Sequence, residues 1–196
     1  MIPRRTVKRG TGRGALITAT LRLIAQQGLH ATTLRDIAGE AGLSLGSTTY
    51  HYADRAALLR AAFTQYVADT ECLVADAVDT SMRWRNLGTD GGVHPAMRDL
   101  FTTRRQVLIR AELRLEATRD TAMHELHLRC RDSVQMLVAV VMGAGHQPAG
   151  AEAAWTALAE LDAAAIDTAG DRRDPTEFAA AMHTYLADAF DVRAAG

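Results

Sequence analysis

Residues 33–52, T-L-R-D-I-A-G-E-A-G-L-S-L-G-S-T-T-Y-H-Y, constrain the fold more tightly than any other stretch of the chain. Thr33, with Asp36 three residues on, reads as a helix N-cap and its acidic partner. They open a helix of about eight residues that turns Ile37 and Ala38 inward. Gly42 stands where a turn needs a residue tolerant of positive φ, and Ser44 caps a second short helix ending at about His51. Two short helices across a tight glycine turn make a helix-turn-helix. The second would expose Leu45, Ser47, Thr48, Thr49, Tyr50 and His51, small and polar groups that can approach base edges and phosphates in a major groove.

A glycine turn alone would also fit an ordinary helical hairpin, and the charge distribution separates the two readings. Residues 1–60 carry nine Arg and Lys against three acids, a net of +6, while the whole chain is −1, leaving −7 for the remainder. A basic end joined to an acidic body suits a protein that meets a polyanion with one end only. Double-stranded DNA is the expected partner.

At these residues the chain resembles the DNA-binding domain of the TetR (tetracycline-repressor) family of bacterial regulators. The resemblance covers about residues 12–62. It is carried by Gly28 at the end of a first helix, Thr33, Ile37-Ala38, Ala41-Gly42-Leu43-Ser44, Gly46, His51-Tyr52, Arg55 and Leu58. It implies phosphate contacts from Thr33 and from Arg55, where the family often has Lys. The chain departs at Thr49, where the family usually has a phosphate-binding Tyr; Tyr50 lies one position late. The resemblance also implies a body whose last two helices form a homodimer interface and whose interior takes a small-molecule inducer.

The organisation expected is all-α: a basic arm (1–11), a three-helix DNA-binding domain (12–54) and a helical ligand-binding and dimerisation domain (55–196). Leu16, Ile17, Thr20, Leu23 and Ile24 recur at helical spacing over residues 13–27. Asp54 caps a fourth helix whose stripe runs from Leu58 to Ser81, with a break near Asp69 or Asp79. Residues 86–95 form a glycine-rich loop, after which come a short helix (96–101) and a longer one (104–118) with Val107, Leu108, Ala111, Leu115 and Thr118 inward. Residues 120–143 turn Met123, Leu126, Cys130, Val134, Leu137, Val141 and Met142 inward, and Gly143, Gly145 and Pro148 end that helix. The last two helices, about 150–168 and 175–192, are rich in alanine, which lets helix axes approach closely.

No apolar run reaches the ~20 residues of a membrane span and none follows the basic start, so a cytoplasmic protein without a membrane partner is expected. Cys72 and Cys130 are then expected as free buried thiols, a redox-sensing disulfide being the alternative. Enzyme motifs are absent, and no cofactor is expected. His124, His127 and Cys130 could mark a metal sensor or helical enzyme, but Cys130 lies well around the helix axis from His124, and no metal site is expected. A ligand pocket between the fourth, sixth and seventh helices would gather Tyr66, Thr70, Leu108, Glu112, Met123, His127 and Cys130, a mostly apolar lining with few polar groups. The sequence thus leads to a ligand-responsive, homodimeric regulator, a repressor by family behaviour. Its inducer would act through the fourth helix on a palindromic operator. A regulator with no small ligand stays open beside it.

Overall fold

The computed structural model describes residues 11–84, 94–142, 148–171 and 174–194. Among these the chain is helical throughout, as expected: α1 (Thr11–Gln27), α2 (Leu34–Glu40), α3 (Leu45–His51), α4 (Arg55–Trp84), α5 (Pro95–Thr102), α6 (Arg104–Glu116), α7 (Thr121–Val141), α8 (Pro148–Asp171) and α9 (Pro175–Ala194). The basic arm and most of the glycine-rich segment after α4 lie outside the described residues, as do Gly143 and Gly145.

Helix starts follow their capping residues. Thr33 and Asp36 form a reciprocal capping box, Ser44 accepts from the Ser47 amide at 3.1 Å, and Asp54 accepts from the Ala57 amide at 2.7 Å. Asp120 and Asp174 do the same for α7 and α9. The Thr33 hydroxyl and amide hold the Asp36 carboxyl below its usual range, and the Glu177 and Thr176 amides do so for Asp174. Both caps are therefore fully present at neutral pH and lost only as the pH falls through those lowered values. Pro148, expected to end α7, instead opens α8, where its missing N–H is no loss. The expected break in α4 is absent: the helix runs 30 residues, ~45 Å, from the head into the body.

α1 has two working faces. Leu16, Ala19 and Leu23 join Ile37, Tyr52 and Leu58 in a small core under α2 and α3. Leu21 and Ile24 belong instead to the main core, with Leu59, Phe63 and Val67 of α4, Phe101 of α5, Ile109 and Leu113 of α6, Val134 of α7, Leu158 of α8 and Phe178 of α9. α1 thus contributes to both cores, one on each of its faces.

α6 departs most from the expected packing. Its buried residues are Val107, Ile109, Arg110 and Leu113, whereas Leu115 and Thr118 face solvent and Leu108 and Ala111 are half-buried. The reason is Arg110. Its Nε and Nη2 donate to Asp162 Oδ1 of α8 at 3.0 and 2.8 Å, its Nη1 donates to the Leu100 carbonyl at 3.2 Å, and the guanidinium lies 4.6 Å over the Phe101 ring. A charge so fully partnered can occupy the core, and it turns the helix with it.

The cysteines also differ from expectation. Cys130 is buried, but Cys72 is exposed on α4; both are free. Burial pushes the Cys130 thiol up to about 11, only partly offset by Arg110, so it is not a reactive thiolate at neutral pH.

Candidate functional site

The outer surface of the helix-turn-helix is built by its caps and its glycine. Gly42, at φ +68°, makes the turn that only a residue without a Cβ takes freely, and Ser44 restarts the chain as α3. Leu45 and Tyr50 are 49% and 85% exposed, unusual for large apolar groups, and Thr49 is exposed beside them. The Tyr50 and His51 rings meet edge to face at 5.3 Å. His51 and Ser47 are half-buried; a Cβ added at Gly12 would come within 2.9 Å of His51 Nε2, so α1 and α3 touch there.

Two residues of this group sit otherwise than expected. Thr48 is fully buried, its hydroxyl donating to the Ser44 carbonyl, because it lies on the inward face of α3. It holds the helix in the head and presents nothing outward. Arg55 is anchored to the turn after α1: its Nε donates to the Thr32 carbonyl at 2.7 Å and its Nη2 to the Leu29 carbonyl, two of the five N–H groups of its guanidinium. The turn after α1 leaves carbonyls without helical partners, and Arg55 satisfies them. Thr33 is exposed, but its hydroxyl also donates to Asp36 at 2.6 Å. Arg55→Ala should cost about 2 kcal/mol of stability, as expected for lost hydrogen bonds to a charged donor. Arg60→Ala, on an exposed residue of α4, should stay within about 0.5 kcal/mol. Urea unfolding at one protein concentration compares them.

In the body the expected lining gathers only in part, Tyr66 lying beside Thr70 and near Cys130. Tyr66, Thr70 and Met123 are core residues, Tyr66 donating to the Gln106 carbonyl at 3.2 Å and Thr70 to the Tyr66 carbonyl. Leu108 packs against the core edge. Glu112 points away to the head: a Cβ at Gly28 would meet Glu112 Oε1 at 3.1 Å. Gly28 has φ +83°, so the end of α1 needs glycine for its backbone.

His127 and Cys130 instead line a cleft between α6, α7 and α8, a helix away from the expected place. Its apolar wall is Val107, Ala111, Val134, Leu158 and Ile166; its polar groups are Arg110, Arg114, Arg131 and Asp162. The free volume is about 20 Å³, room for one or two waters. Partial burial, then Arg114 and Arg131, depresses the His127 pKa, leaving a neutral imidazole there. Of the cleft residues that were not in the expected lining, four are charged: Arg110, Arg114, Arg131 and Asp162. Asp162, at the head of the run Ala163-Ala164-Ala165 in α8, is the residue that pairs with the buried Arg110. His124 is exposed, and among the described residues no three His, Cys, Asp or Glu side chains gather as a metal-holding group. No described helix is long and apolar enough to cross a membrane.

Residues 16–62 match the family model of bacterial regulatory proteins, tetR family. No curated protein matches the chain. Among solved structures it is similar to a transcriptional regulator from Rhodococcus sp. Rha1, at 19% identity over 91% of this chain and 96% of that one, with a TM-score of 0.69. It is similar also to the fatty acid degradation regulator FadR from Bacillus halodurans, at 18% identity over 92% and 96%, with a TM-score of 0.58. A third is the multidrug binding protein EbrR complexed with imidazole, at 24% identity over 89% and 93%, with a TM-score of 0.54. At these identities the likeness speaks for the fold, which extends over head and body alike. The family match thus falls on the helix-turn-helix, within residues 16–62, where the chain is similar to bacterial regulatory proteins of the tetR family.

Proposed function

We propose that the protein is a homodimeric repressor that lays α3 in the major groove of each half of a palindromic operator and leaves it when a small organic molecule binds in the body. The exposed surface of α3, with Leu45 and Tyr50 turned to solvent, is the observation that carries this reading. A monomer gains nothing by exposing such groups, whereas a groove covers them. The proposed DNA contacts are Ser44, Leu45, Ser47, Thr49, Tyr50 and His51, with Thr33 at a phosphate. No enzymatic step belongs to this reading.

The second copy would join through α8 and α9. Ala159, Ala163 and Ile166 of α8 are exposed at helical spacing, and Trp155 and Tyr185 add large apolar surface on the same pair of helices. An isologous interface there gives the two-fold symmetry that a palindrome needs.

The cleft between α6, α7 and α8 is the proposed ligand site. Its free volume is small, so a drug-sized ligand must part the helices that line it. α6 in turn bears on α1 through Glu112 and Gly28, which adds a second route to the head beside α4. Lowering operator affinity ~100-fold needs only ~2.7 kcal/mol of coupling. The small volume also supports a second reading, a regulator without a small ligand whose switch is another protein.

Operator affinity against salt tests the DNA reading. Log affinity should fall steeply with log salt, through counterion release, and Tyr50→Ala should weaken binding while sedimentation still reports a dimer. A flat salt dependence, or unchanged affinity in the variant, would move the reading surface elsewhere.

A further inference from the structure

The side chains α3 presents are unusual for what they lack. From Ala41 to Ala53 there is no Arg, Lys, Asn, Gln, Asp or Glu. Those are the side chains that pair with guanine, adenine and cytosine edges in a major groove. Arg55, next along the chain, is tied to the Thr32 and Leu29 carbonyls. Arg22 of α1 is paired with Glu40 of α2. Beside the Ser47 and Tyr50 hydroxyls and the half-buried His51 ring, what α3 offers is apolar. Leu45 is half exposed, and Thr49, one turn on and on the same strip, has its hydroxyl donated back to the Gly46 carbonyl at 3.1 Å and also within reach of the Leu45 carbonyl. With the hydroxyl proton held by the backbone, the free part of Thr49 is its methyl and the oxygen's remaining lone pair.

One base-edge group in the major groove is itself apolar, the thymine C5-methyl. We propose that α3 reads its half-site through thymine methyl groups packed against Leu45 and the Thr49 methyl, so that thymines stand opposite this strip in each half of the operator. The inference rests on the DNA-binding reading above and sets the base chemistry that reading leaves open. Leu45 and Thr49 are the specificity-determining residues; Ser47 and Tyr50 flank them.

The test uses the full-length protein and the duplex it enriches most from a random pool. That duplex is resynthesised with deoxyuridine in place of thymidine at the half-site positions, which removes the methyl and keeps every hydrogen-bonding group. Losing one methyl contact weakens binding about fourfold, and a symmetric site loses two together, about 15-fold. The thymine-to-uracil ratio should shrink in Leu45→Ala, whose exposed position leaves folding intact. Equal affinity for the two duplexes overturns the inference while leaving DNA binding in place, as does a ratio unchanged in both Leu45→Ala and Thr49→Ser. A half-site with guanine in place of thymine would overturn it too. Enrichment of no sequence would remove the DNA reading itself and this inference with it.

Discussion

Asp162→Ala should destabilise the protein by about 3–5 kcal/mol, among the largest effects of any single polar substitution in the chain. The carboxylate is the only acidic partner of Arg110 within hydrogen-bonding reach among the described residues, accepting from both Nε and Nη2. Arg110 is 6% exposed and cannot turn to water without leaving Phe101 and the Leu100 carbonyl. Removing the carboxylate therefore strands a guanidinium between α5, α6 and α8. Asp162→Asn keeps a neutral acceptor and should cost less. Replacing both partners by apolar residues, Arg110→Met with Asp162→Leu, should recover most of the loss, since a buried ion pair contributes little net stability against a packed apolar pair. Urea unfolding of the three variants checks the order. A double variant as unstable as Asp162→Ala would mean that the pair sets the geometry of this junction in a way packing cannot replace.

Phe63→Ala should cost about 3–5 kcal/mol as well, through lost burial and the cavity left behind. Phe63 is fully buried in the core that runs from Leu21 and Ile24 of α1 into the body. The effect should thus appear in head and body together. Calorimetry at fixed protein concentration, which matters for a dimer, should give one transition that moves down as a whole. Two transitions, with only one displaced, would show that head and body unfold separately in spite of the shared core.

Local chemistry was legible in the sequence wherever a residue acts on its neighbours. Thr33 with Asp36, Ser44, Asp54, Asp120 and Asp174 each sit where a helix must begin, and Gly42 where the chain must turn. The long stripes of α4 and α7 were legible too, because their buried positions are almost wholly apolar. α6 was not. A stripe drawn through Leu108, Ala111 and Leu115 treats Arg110 as surface, and only Asp162, 52 residues away, makes its burial favourable. That rotation carries the cleft from α4 over to α8 and sends Glu112 to Gly28. The positions of Thr48 and Arg55 are hard to see in the sequence for a similar reason. Each is a polar side chain whose partner is a backbone carbonyl, of Ser44 for one and of Leu29 and Thr32 for the other, and sequence patterns do not locate carbonyls.

In the proposed function, two copies of α3 read one operator. Selection of bound duplexes from a random pool by the purified protein, followed by sequencing, tests it most directly. The expected result is a palindromic consensus with half-sites one helical turn, or a multiple of it, apart. Enrichment of a single unrepeated half-site would contradict the symmetric dimer, and no enrichment at all would contradict sequence-specific DNA binding by this helix-turn-helix.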